Sequence, residues 1–309
     1  MVTIGSSGMG LKFWAKAGQA GVLNYHPLIH HLVDTAEVAK QIVKDYLSEA
    51  VVERLSEGLK LERDALMRWC SFLAGSHDLG KVCPSFQLQL PELGKEIVLG
   101  EIYERFRQVQ KVPHGTVTAK TLPEFLQELG MGMRLAQHFA KITGGHHGFF
   151  PTSKEIQELD SEGMGDDPIW NNFRKEVFIQ LQDYTGLQSR DLPQECSNAA
   201  AIILAGLSTV ADWIASNTNY FPYANDLPLS EYVKNLPDKV RQALYGMGWQ
   251  KPIKKSGTLS FANLFNGLTP RPLQQTTIDL SHNLTSPCLV NGYVSFQTRT
   301  QSPFPQNLR

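Results

Sequence analysis

Cysteine is scarce in this chain: four in 309 residues, at Cys70, Cys83, Cys196 and Cys288. None forms a CxxC pair, and their spacing offers no disulfide framework. The first residues, MVTIGSSGMGLKFWAKAG, lack the continuous apolar run of a secretory signal. Together these features read as a protein of the reducing cytoplasm. Long hydrophobic segments are missing as well. The longest, Ala199 to Ala211, is short of a bilayer span and is broken by Ser208 and Thr209, so no membrane association is expected. Excess charge of one sign is also absent. With 29 Lys and Arg against 30 Asp and Glu, the formal net charge is −1. No global positive field draws in nucleic acid, so a DNA substrate needs a local patch or a partner protein to deliver it.

Alternating period-2 segments are not seen before about residue 257, and no internal repeat or low-complexity tract appears. What is present is helical patterning in a chain long enough for one large domain or one domain plus an appendage. Pro27 suits the first turn of a helix running through HLVDTAEVAKQIVKDYLSEAVVERL, where Leu32, Ala36, Ala39, Ile42 and Val43 recur at helical spacing. A second helix is predicted from about Glu62 to His77, stopping at Gly80. Others are predicted near 93–110, 115–129, 132–143, 169–184, 196–217 and 229–246. Gly144, Gly145, Gly148 and Pro151 interrupt the pattern, and 152–168 reads as a solvated helix and loop. After Lys251 the basic KPIKKSG segment leads into FANLFNGLTPRPLQ and then a polar tail with little to build a core. A boundary is placed near residue 250.

Seven residues stand out chemically: His31, His77, Asp78, His114, His146, His147 and Asp212. His77-Asp78, in AGSHDLGK, follows an apolar helical run, where a carboxylate at a helix end can bridge two ions. The same dipeptide also reads as a dipole-matched helix C-terminus with Gly80 as its stop. His146-His147 would diverge by about 100° within a helix. The glycines of ITGGHHGFFP place the pair in a turn instead, where both imidazoles can face one target. Asp212 lies in a helix apolar on nearly every face, which marks it as buried. A buried carboxylate needs a partner or a metal, and no Lys or Arg lies within that helix to pair with it. A salt bridge to a distant basic residue is the competing reading. His31 and His114 sit at helix starts and are weak signals alone, with His26 and His30 competing for the place of His31. Five histidines and two aspartates at turns and helix ends suit a dinuclear centre of mixed N and O donors, favouring Fe, Mn, Co, Ni or Zn over Ca.

The order His31, His77-Asp78, His114, His146-His147, Asp212 resembles the HD superfamily of phosphohydrolases. The flanking segments HPLIHHLVD (26–34), HDLGKVCPSFQ (77–87), PHG (113–115), GGHHGFF (144–150) and ADWIASN (211–217) narrow the resemblance. They are similar to the CRISPR-associated HD nuclease of type I interference systems, over roughly residues 10–225. That resemblance implies an all-α HD-domain helical bundle at 1–250. It makes His31, His77, Asp78 and Asp212 ligands of one metal. Asp78 bridges to a second metal held by His114, His146 and His147. The choice of His31 rests on the family's His-x-x-Asp spacing, here to Asp34. Lys81 is then expected to contact a phosphate or orient Asp78, against the alternative of a solvated lysine past a helix stop. Ser216 and Asn217 are tentative contacts to the DNA backbone. The expected cofactors are two divalent transition-metal ions, Fe, Mn, Co or Ni, with Mg possible.

Residues 261–274 resemble the start of a helicase domain, with Gln274 ahead of its first ATPase strand. No GxxxxGK[ST] phosphate loop follows within 281–309. Segment 251–309 therefore reads as a linker and truncated helicase opening, poorly packed, and no ATP requirement is expected. The resemblance implies cleavage of single-stranded DNA in antiviral defence, with the Cascade complex and a helicase, in trans if separate, as partners. Phe149, Phe150, Trp213 and Tyr220 are candidate base stackers, with core packing the stronger reading for Trp213. Two alternatives use the same residues: a phosphohydrolase of nucleotides or cyclic nucleotides, and a non-catalytic docking module.

Overall fold

A computed structural model describes residues 13–18, 24–97, 100–224, 227–249, 260–265 and 267–282. A short antiparallel hairpin, β1 (Trp14–Ala17) and β2 (Tyr25–Pro27), leads into α1 (Leu28–Asp45). Then come α2 (Glu49–Leu59) and α3 (Arg63–Gly75), the latter tightening into a 3-10 turn, Ser76–Lys81. Three short helices follow, α4 (Pro84–Gln87), α5 (Pro91–Ile97) and α6 (Gly100–Phe106). A long pair comes next, α7 (His114–Glu128) and α8 (Met133–Gly144). The rest are α9 (Ser153–Gln157), α10 (Ser161–Met164), α11 (Pro168–Thr185), α12 (Asn198–Ala215), α13 (Leu229–Tyr232), α14 (Leu236–Gly246), α15 (Phe261–Leu264) and α16 (Pro272–His282). The all-α expectation holds, with the hairpin as its exception. Strands of four and three residues are too short to show alternation in the sequence.

α1 is the central rod. Leu28, Ile29, Leu32, Val33, Ala36 and Ala39 are fully buried, and α3, α11, α12 and α14 pack around it. The single long helix expected from Pro27 onward is two helices. Tyr46 closes α1, and Ser48 adopts extended backbone to start α2, with Glu49 facing the new N-terminus. Pro27 precedes the first turn of α1 rather than sitting in it. α14 closes over α1 through the buried Leu236, Val240, Ala243 and Leu244.

α12 is not buried all round, as its composition suggested. Ile202 is 74% and Trp213 65% exposed, so Trp213 is a surface residue and not part of the core. The buried side carries Leu204, Leu207, Ser208, Ala211 and Asp212. Among the described residues this is the one helix long and apolar enough to cross a membrane by length and composition. The expected linker at 251–259 and the tail beyond residue 282 lie outside the described residues.

Two features hold the helices in register around one end of α3. Arg174 of α11 is buried and donates to the backbone carbonyls of Val82, Met164 and Gly165 at 2.7–2.9 Å. It thereby ties three segments together without a carboxylate partner, and burial pulls its pKa down to about 10. The second feature is a glycine contact. Gly115 at the start of α7 and Gly144 at the end of α8 lie against each other's carbonyls, and a Cβ on either would overlap the other backbone.

Replacing Arg174 with Met leaves three carbonyls without a donor and is expected to destabilise the fold by about 3 kcal/mol in a denaturant melt. Gly115→Ala forces α7 and α8 apart and is expected to cost about 1–3 kcal/mol. Gly206→Ala, on an open face of α12 where an added Cβ meets nothing, is expected to be neutral or stabilising by up to about 1 kcal/mol in the same assay.

Candidate metal centre

The 3-10 turn after α3 sets the geometry. Tightening the last turn brings His77 and Asp78 out of helical phase and inward, where both are buried. His77 Nδ1 donates to the carbonyl of Ala74 at 2.9 Å, which leaves Nε2 facing the interior. His146, in the turn after α8, repeats the arrangement: its Nδ1 donates to Thr143 O at 2.9 Å. Asp78 lies between two groups of rings. Its Oδ2 is 3.4 Å from His31 Nε2 and 3.3 Å from His77 Nε2, and Asp212 Oδ1 is 3.1 Å and 3.4 Å from the same two nitrogens. Asp78 Oδ1 is 3.2 Å from His114 Nε2 and 3.5 Å from His146 Nε2, and His147 Nε2 is 3.2 Å from His114 Nε2. All seven sequence candidates therefore converge on one place.

Three threonine hydroxyls bring these elements together. Thr118 of α7 donates to His77 O at 3.0 Å and accepts from Gly80 N at 2.8 Å, clasping the 3-10 turn to the helix that begins with His114. Gly80 is required there, because a Cβ would overlap the His114 carbonyl. Thr143 of α8 donates to Leu73 O at 2.8 Å, and Thr209 of α12 donates to His146 O at 2.8 Å. Nothing in the sequence marks these threonines, because each acts on a carbonyl more than thirty residues away.

Lys81 is buried rather than solvated. Its Nζ is 2.6 Å from Asp78 Oδ2 and donates to Ala15 O at 3.1 Å. Asp34, whose spacing selected His31, contacts a different histidine: His26 Nε2 is 2.8 Å from Asp34 Oδ2, and Tyr232 Oη donates to both oxygens of Asp34. His30 stacks on Tyr232 with centroids 4.0 Å apart, away from the seven-residue cluster. Ser216 Oγ donates to Asp212 Oδ1 at 2.9 Å, and Asn217 Oδ1 accepts from Asn219 N at 3.1 Å in the turn after α12. Lys16, which reaches Ser216 from β1, was not among the candidates.

The electrostatics match a site built around negative charge. Burial works against ionising Asp78, yet Lys81 and His77 hold its carboxyl well below the usual range. Asp212 is likewise held ionised against its burial by His31 and His77. Burial pulls His146 down to about 3, assisted by His77, and also lowers His31 and His147. Burial opposes a proton on His77 too, but Asp78 and Asp212 outweigh it and raise its pKa to about 9. A cation held at His77 would take the place of that proton, because ligation takes the neutral imidazole.

The donor set fits divalent transition metals. His31 Nε2, His77 Nε2, His146 Nε2 and Asp78 Oδ1 are buried and lack an aligned hydrogen bond, although carboxylates and rings lie within 3.5 Å. Buried polar atoms left in this state need another partner. Three triads have donor atoms within 4.8 Å of one another: His31, His77 and Asp78; His77, His146 and Asp212; and His114, His146 and His147. The first two are buried, whereas in the third His114 is half-buried and His147 exposed.

Comparison with known proteins shows the family. The family described as Cas3, HD domain, matches residues 14–221. A curated relative, the CRISPR-associated endonuclease/helicase Cas3 of Thermus thermophilus, is 30% identical over 91% of this chain and 30% of its own length. The chain thus spans about a third of the length of the curated relatives it matches. The crystal structure of a CRISPR-associated protein superposes with a TM-score of 0.74 at 34% identity, covering 90% of this chain and 31% of that one. The Thermus thermophilus Cas3 HD domain, crystallised in the presence of Ni2+, superposes with a TM-score of 0.60 at 28% identity, covering 78% of this chain and 91% of that domain. With the family matched over more than half the chain, on a helical fold shared with a solved Cas3 HD domain, the protein belongs to the Cas3 HD domain family of CRISPR-associated nucleases.

Proposed function

We propose that this chain is a metal-dependent deoxyribonuclease that hydrolyses single-stranded DNA in type I CRISPR interference. One observation carries the reading: the two oxygens of the buried Asp78 face two separate histidine groups. His31, His77 and Asp212 would hold one divalent ion with Asp78. His114, His146 and His147 would hold a second, shared with Asp78. Two such ions supply Lewis acidity toward a phosphodiester and an activated water for its hydrolysis.

The chain's own residues divide the remaining work. Lys81 holds Asp78 in place through Oδ2. The first histidine group is sealed in the core and the second opens to solvent at His147, so a strand approaches from that side. Phe149 and Phe150, 87% and 52% exposed, follow His147 after Gly148, and the exposed Trp213 follows Asp212. Aromatic faces at such a mouth suit stacking of unpaired bases, which needs no sequence readout. Ser216 and Asn217 lie at the end of α12, where contacts to the strand's backbone are proposed. A formal net charge of −1 leaves little nonspecific attraction for DNA. Delivery by the Cascade complex and a helicase, in the same or a separate chain, completes the reading.

Cleavage of circular single-stranded DNA tests it. Metal-stripped protein is expected to be inert and to regain cutting with Mn, Co, Ni or Fe. Asp78→Ala is expected to abolish cutting while the fold melts normally. His147→Ala is expected to lose about one of two bound metal equivalents, read by elemental analysis. Bound metal without cutting of any single strand, but with turnover of free nucleotides, would sink the proposal in favour of a nucleotide phosphohydrolase. A silent protein with both substrates would leave a docking module.

A further inference from the structure

β1 carries a lysine to the metal centre that the seven-residue set does not contain. Trp14 pairs with Pro27 and Lys16 with His26, so Ala15 is an extra residue on β1, a bulge. Bulges re-aim the side chains around them and recur beside functional sites. This one is held on both sides. Gln87 Oε1 accepts from Trp14 N at 3.1 Å, Gln87 Nε2 donates to Trp14 O at 3.0 Å, and Trp14 Nε1 donates to Gln87 O at 3.1 Å. The carbonyl of the bulged Ala15 accepts from Lys81. Lys16, next along, sends its ammonium to the end of α12, where it donates to Ser216 Oγ. Ser216 Oγ then donates to Asp212 Oδ1, the oxygen nearest His31 Nε2 and His77 Nε2.

The direction of these bonds decides what the relay does. An ammonium only donates, so Ser216 Oγ accepts from Lys16 and has one proton to place elsewhere. A serine on a helix commonly returns that proton to the carbonyl one turn back. Here that carbonyl, Asp212 O, already takes Ser216 N–H at 2.8 Å, and the hydroxyl goes to the Asp212 side chain. The spacing of four residues puts serine and aspartate on one face of α12. Lys16 is largely withdrawn from water, which lowers its pKa, and the charge of Asp212 is the main influence opposing that shift.

We propose that Lys16 is a positioning residue of the metal centre, acting through the Ser216 hydroxyl to hold the Asp212 carboxylate toward His31 and His77. The inference rests on the metal-centre reading above but not on DNA being the substrate. Outer residues of this kind typically change metal affinity by about 10–100-fold. The same contact assigns Ser216 an inward task, so its replacement acts on metal before it acts on substrate.

Calorimetric titration of metal-stripped protein with Mn2+ tests the proposal, on wild type, Lys16→Met, Ser216→Ala, the double variant and Ser216→Thr. Thermal melts in chelator check that each variant is folded. The expected result is that Lys16→Met and Ser216→Ala each weaken one of the two Mn2+ sites by about tenfold or more. The double variant should be no weaker than the worse single one, as for two members of one relay. Ser216→Thr, which keeps the hydroxyl, should restore affinity. Unchanged isotherms, or losses that add as independent effects, overturn the proposal. So does a higher KM for single-stranded DNA at unchanged Mn2+ binding, which would make Lys16 a phosphate contact. If wild type binds Mn2+ without cutting DNA, the nuclease reading fails while the isotherms still decide the relay. If wild type binds no Mn2+, both fall.

Discussion

Two ionised carboxylates buried at one end of a helical bundle are the constraint on which the rest of the structure depends. A carboxylate taken out of water loses several kcal/mol of solvation unless something returns it. Four imidazoles and Lys81 lie within 3.5 Å of the Asp78 and Asp212 oxygens, and among the described residues no arginine does. Burial lowers His31 and His146, while the two carboxylates raise His77. Imidazole nitrogens and carboxylate oxygens turned toward one another are also a donor set that divalent transition metals take. That donor set is the physical link between the fold and the hydrolytic chemistry proposed for it.

The helices are arranged to serve the cluster. α3 supplies His77 and Asp78 only because its last turn tightens, and α7 reaches Asp78 only because Gly80, Gly115 and Gly144 let backbones touch. Threonine latches at Thr118, Thr143 and Thr209 fix the backbone of the turns between helices, and so the places from which the rings converge. The result is asymmetric: one histidine group closed in the core and one open at the surface, with exposed aromatics beside it. If the proposed metals bind there, the closed position would be filled by protein ligands and the open one would leave room for a substrate oxygen.

Much of this was legible in the chain order of the histidines and aspartates. The His-Asp dipeptide, the glycine-flanked His-His pair and the lone carboxylate in an apolar helix are local signals, and the chemistry of each residue limits its use. The features that escape the sequence are not local. The apolar composition of α12 predicts burial all round, yet Ile202 and Trp213 face outward, since apolar composition does not say which face is covered. The hairpin went unseen because three or four residues carry no periodicity. The break between α1 and α2 at Ser48 was masked by a hydrophobic pattern that continues across it.

Sequence alone determined the helical class, the donor set and its order, and the family resemblance, because these depend on residue type and spacing. Only the tertiary structure decided that Asp78 divides its two oxygens between two histidine groups. Only it decided that His26 rather than His31 bonds Asp34, that Lys81 is buried on Asp78, and that Lys16 reaches Asp212 across two hundred residues of chain through Ser216. Each of these is a matter of direction and distance between elements far apart in sequence. Such contacts are set by helix packing and by a single bulge in β1, and residue type carries no record of either.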